Sequence, residues 1–162
     1  MVRAGGEIFV TAPARFSENA VETFFKERAR RIARAVSYFS RLPKPIALPA
    51  ATYSERGFLE KKLADAVERA ARSLNIPTPQ FKVRIMRSRF GSCSARGALS
   101  FSDSLRALPD ELFEYIVAHE TAHCREHNHS SAFWALVEQL IPDWRTRRQS
   151  LKKYNFVINT RE

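Results

Sequence analysis

Three features of the sequence predict an α+β fold, a small mixed sheet packed on helices. Two long runs have apolar residues at helical spacing, and an alternating run is followed by a glycine-bearing hairpin. A capped helix then carries, in and just after it, all four histidines of the chain. A length of 162 residues fits one domain with a real core. Within that domain, residues 1–50 read as a strand–helix opening and a proline-rich connector, and 51–162 as helix, strands and the histidine-bearing core.

The elements follow in order. "EIFV" (7–10) ends at Thr11-Ala12-Pro13 and reads as a short strand. From Ser17 to about Phe39, Val21, Phe24/Phe25, Ala29, Ile32 and Val36 recur at helical spacing. "RLPKPIALPA" (41–50) holds three prolines, excludes regular helix and reads as a connector. A second helix is expected from about Arg56 to Leu74, with Leu59, Leu63, Val67, Ala70 and Leu74 on one stripe. Asn75 suits its left-handed cap, and the prolines of "NIPTPQ" block continuation. "FKVRIMRS" (81–88) alternates Phe81, Val83 and Ile85 against Lys82, Arg84 and Arg87, the pattern of a half-buried strand. "GSCSARGALSFS" (91–102) reads as a hairpin whose turn takes its positive φ from Gly97.

"LPDELFEYIVAHETAHCREHNH" (108–129) concentrates the chemistry. Pro109 suits a first helical turn, and Asp110 and Glu111 complement the positive end of the helix dipole. Leu112, Ile116, His119 and His123 then fall at steps of four, three and four, so both imidazoles share the face that points inward. Two histidines one turn apart can bind a single cation. Glu120, at the edge of that face, can act on water without occupying a coordination position. That is the arrangement of a hydrolytic zinc site, with Glu120 as general base. An open zinc site wants a third protein ligand. His129, ten residues beyond His119, is the favoured candidate, because a chain leaving the helix near Asn128 can fold back to the metal. His127 is too far along the axis if the helix still includes it and is given a peripheral role, while Glu138 on the following helix is a reserve carboxylate ligand.

Residues 87–144 also resemble the YgjP-like metallopeptidases, zincin-fold proteins related to the SprT-like proteases. The likeness rests on "RSRFGSCS", on "YIVAHETAH" and on "NHSSAFW" followed by Pro142. It persists more weakly in the opening "VTAPARFSENAVETFF". The resemblance implies one zinc per chain, bound by His119, His123 and the histidine of NHS, here His129. Phe90 stands where the family usually has tryptophan, and Thr121 where it has leucine. Neither touches a ligand.

The remaining features narrow the class. Two cysteines, Cys93 and Cys124, are too few for a disulfide framework. With no apolar leader or membrane-length segment, they suggest a cytoplasmic protein with reduced thiols and no membrane association. Cys93 reads as packing rather than as a ligand, and Phe133 and Trp134 as core beneath the histidine helix. The net charge of +10 is spread over the chain, with 14 basic against 8 acidic residues up to residue 80 and 13 against 9 beyond. Such a surface attracts nucleic acid weakly and non-specifically, while "RARRIAR" (28–34) reads as the solvated face of a helix. Three functions compete: a zinc peptidase acting on peptide or protein, a basic nucleic-acid-associated protein, and a metal-binding module without turnover. The chain is expected to be a monomer. For a peptidase, "ALSFS", comprising Ala98, Leu99, Ser100, Phe101 and Ser102, is the candidate edge strand on which extended substrate would lie.

Overall fold

In the computed structural model, which describes residues 17–40, 46–86, 89–154 and 156–158, each long apolar-periodic run forms a helix. Backbone contacts divide the chain into two compact units, Met1–Pro45 and Ile46–Glu162. In the first, helix α1 spans Glu18–Ser40. Val21, Phe25, Ile32 and Val36 form its half-buried stripe, and the arginines of "RARRIAR" are exposed, as a solvated face requires. The expected strand at 7–10 lies outside the described residues.

The second unit begins with strand β1 (Ile46–Leu48), inside what the prolines marked as connector. It pairs in parallel with β5 (Phe156–Ile158), near the end of the chain. Neither strand was foreseen: three residues are too few for an alternation to register, and the pairing is not local.

Helix α2 (Tyr53–Ser73) starts three residues earlier than its apolar stripe suggests, because a capping box fixes its first turn. Thr52 Oγ1 accepts from the Glu55 amide at 3.2 Å, and the Glu55 carboxylate accepts from the Thr52 amide at 2.8 Å. The expected stripe of Leu59, Leu63, Val67, Ala70 and Leu74 is buried throughout. Asn75 takes a left-handed φ of 52° just past the C-cap Leu74.

Strands β2 (Phe81–Arg84), β3 (Gly91–Cys93) and β4 (Leu99–Ser102) form a sheet in the order β2-β4-β3, with β4 parallel to β2 and antiparallel to β3. The hairpin stands where expected, turning at Gly97 with φ 77°. Two expectations need correction. Ile85 lies beyond the end of β2 and is 45% exposed. The stretch from Ala98 to Ser102 is not an edge: Leu99, Ser100, Phe101 and Ser102 pair with β2 on one side, and Leu99, Ser100 and Phe101 also pair with β3 on the other. Leu99, Phe101 and Ser102 are buried, the burial of an interior strand. Among the described strands of this sheet, the edge on the hairpin side is β3.

After a 3₁₀ turn at Asp103–Ala107 come α3 (Asp110–Ala122), α4 (Ser131–Leu140) and α5 (Trp144–Leu151). Helix α3 packs against α2, α4, α5 and strand β3. One hydrophobic cluster joins Leu63 and Val67 of α2, Phe101 of β4, Phe113 and Val117 of α3, and Phe133 of α4. The histidine helix is thus held from several sides, and the site inherits that rigidity.

Candidate metal centre and active site

Helix α3 ends earlier than expected, at Ala122 rather than near Asn128. Its last turn tightens, with the Cys124 and Arg125 amides donating to the Thr121 and Ala122 carbonyls three residues back. His123 therefore sits at the C-cap, and the chain is free to turn from there. It returns through the loop 124–130 to α4, whose N-cap Ser130 accepts from the Phe133 amide through Oγ. His129 immediately precedes that cap and is held in place by it.

This path brings His119, His123 and His129 together, with one ring nitrogen of each within 4.8 Å of the others. The Nε2 atoms of His119 and His129 are 3.1 Å apart. Two nitrogens bound tetrahedrally to one zinc at about 2.0–2.1 Å lie about 3.3 Å apart, so the spacing suits a shared cation. His123 Nδ1 is 3.0 Å from the Glu126 carbonyl oxygen, which can only accept. The proton therefore sits on Nδ1 and the Nε2 lone pair is left for a metal. Burial, reinforced by the charges of His123, His129 and Arg148, pushes the His119 pKa down to about 3. Burial also lowers that of His123. Neutral imidazoles are the form that binds a cation. The buried Nδ1 of His119 has no hydrogen-bond partner among the described residues.

Aromatic rings hold the imidazoles at their angles. Phe133, fully buried, stacks on His123 at 4.3 Å between centroids and meets His119 edge-on at 4.9 Å. Trp134 stacks on His129 at 5.5 Å and is itself backed by Trp144 at 4.1 Å. Both aromatics were expected to pack beneath the histidine helix, but their contact with the imidazoles was not legible. The spacing of "NHSSAFW" shows only that a helix starts there.

Glu120 is 7% exposed. A Cβ built on Gly91 of β3 would lie 2.6 Å from Glu120 Cγ and 2.9 Å from Cδ, so the glycine makes the space that this side chain occupies. Burial pushes the Glu120 pKa up to about 7, against the opposing charge of Arg89. A carboxyl poised near neutrality can both take and return a proton.

The other candidates fall away from this centre. His127 is exposed and outside the imidazole cluster. Glu138, the reserve ligand, accepts instead from Arg145 at 2.9 Å. Its place on the solvent side of α4 puts the carboxylate within reach of α5 rather than of the histidines. The sulfurs of Cys93 and Cys124 are 3.8 Å apart, and burial pushes both thiols up, Cys124 to about 12. Neither is a ready nucleophile or ligand.

Residues 50–154 match the family model for the YgjP-like metallopeptidase domain, more than half of the chain, and the chain belongs to that family. Among solved structures it is similar to the metallopeptidase zymogen of Pyrococcus abyssi abylysin. The TM-score is 0.50 at 26% identity, over 59% of this chain and 99% of that one. No curated protein matches it. Fold and family together make it an α+β metallopeptidase. Among the described residues, no helix is long and apolar enough to cross a membrane.

Proposed function

We propose that the chain is a zinc-dependent peptidase that hydrolyses extended polypeptide, with His119, His123 and His129 as metal ligands and Glu120 as general base. The observation that carries this reading is the division of labour around the end of α3. Three imidazoles converge on one point, while the adjacent carboxylate is held apart from them against Gly91. When bound, zinc would supply a Lewis acid that acidifies water and polarises the scissile carbonyl. Glu120 would accept the proton of the attacking water and pass it to the departing amine. Strand β3 replaces "ALSFS" as the proposed substrate rail. It lies at the sheet edge and packs on α3, so a peptide adding to it runs beside Glu120.

The test uses zinc-loaded protein and an unstructured polypeptide such as reduced, alkylated casein. Glu120→Gln should keep one zinc per chain and the fold while cleavage falls by about 10²- to 10⁴-fold. Cleavage within a few-fold of wild type would show that hydrolysis does not run through Glu120.

A further inference from the structure

A cavity of about 350 Å³ opens beside His119 and Glu120. Its walls are apolar, from Phe90, Tyr115, Ile116 and Leu151, and three cations line it: Arg89, Arg148 and Lys152. Among the described residues, Glu120, already assigned to proton transfer, is its only acidic lining residue. From this arrangement we infer that the cavity is a subsite for a carboxylate of the peptide substrate, with Arg148 and Lys152 as its specificity determinants. The inference rests on the peptidase reading above and extends it to a substrate class.

Pairing in and beside α5 separates Arg148 and Lys152 from their neighbours. Arg145 and Arg147 have carboxylate partners, Glu138 and Asp143 at 2.9 Å each. Among the described residues, Arg89, Arg148 and Lys152 have no ion-pair partner. The last turn of a helix favours cations through its dipole, but that does not account for an apolar chamber beneath them. Arg148 is held in place, its guanidinium 4.9 Å from the centroid of Trp134. An aliphatic stem can lie on Ile116 and Leu151 while an anionic head meets the guanidinium and ammonium groups, which bind charged acceptors more strongly than neutral ones. A glutamate side chain has that form, and a peptide's C-terminal carboxylate shares the head-group chemistry. "RTRRQSLKK" thus divides by function, part in intrahelical and interhelical pairs and part facing the cavity.

The test reads equilibrium binding, so failure of the hydrolytic mechanism would leave it intact. Zinc-treated Glu120→Gln protein is titrated, at 150 mM salt and by fluorescence anisotropy, with three labelled heptapeptides. One is blocked at both ends with a central glutamate, one is identical with glutamine, and one has glutamine and a free C-terminal carboxylate. The glutamate peptide should bind about tenfold more tightly than its glutamine twin, the scale of one charge-assisted contact. The third peptide shows whether a chain terminus serves as well. Arg148→Gln/Lys152→Gln should erase the preference. Arg56→Gln/Lys61→Gln, which removes the same charge from α2, should retain it. Equal binding of all three peptides would overturn the inference. So would equal loss in both double variants, which would reduce the preference to net charge, or an acid-independent affinity that a short oligothymidylate abolishes.

Discussion

Gly91 and Glu120 show how much of this site depends on single atoms. Adding one methyl at Gly91 places it 2.6 Å from Glu120 Cγ, inside any normal contact. Because β3 is tied to β4, the glutamate must move instead. Gly91→Ala should therefore keep the metal, whose ligands it does not touch, and lower cleavage of the casein substrate by about 10²-fold or more, as loss of a general base does. Metal analysis beside rate measurement separates the two effects, and full activity would mean that Glu120 can act from elsewhere. The ligand assignment is tested by a second pair. His129→Ala should leave well under one zinc per chain after dialysis, and His127→Ala should leave it unchanged. If His127 is the one whose loss empties the site, the loop arrangement described for 124–130 is wrong.

The unit at the next scale is the helix terminus, and two N-caps play different roles. Thr52 caps α2, remote in sequence from the histidines, whereas Ser130 caps α4 next to His129. Each replacement by alanine should cost about 1 kcal/mol of stability, read by thermal or urea denaturation. Only Ser130→Ala should also weaken zinc affinity in a chelator competition, because it frees the backbone that presents His129. Equal affinity loss in both would mean the effect is global destabilisation. Element packing sets a further expectation. Leu63 is fully buried in the cluster that α2 shares with α3, and Leu63→Ala should cost about 2–5 kcal/mol through the cavity it leaves.

For the molecule as a whole, charge is the dominant property. With a net charge of +10 spread over its length, the protein should bind nucleic acid weakly and without sequence preference at low salt. That binding should fade steeply between about 50 and 200 mM, because each contact is a released counterion. Filter binding or anisotropy with unrelated duplexes checks this, and tight binding that survives 200 mM would reveal a dedicated site.

Helical periodicity is a local property, and the sequence alone determined what depends on it. The stripe of α2, the cap at Asn75 and the shared face of His119 and His123 all follow from spacing within one segment. The turn at Gly97 follows from its residue type. That His129 rather than His127 would come back beside the other two imidazoles was also legible, from the length of chain needed to return. Only the tertiary structure decided what depends on residues far apart. Strand order made β4 interior and β3 the edge, since an alternating pattern shows which face is buried but not which strand lies outermost. Packing brought Gly91 against Glu120 and set Phe133 and Trp134 under the imidazoles. It also gathered Arg89, Arg148 and Lys152 around one chamber, three charges that in the sequence were indistinguishable from a solvated basic surface.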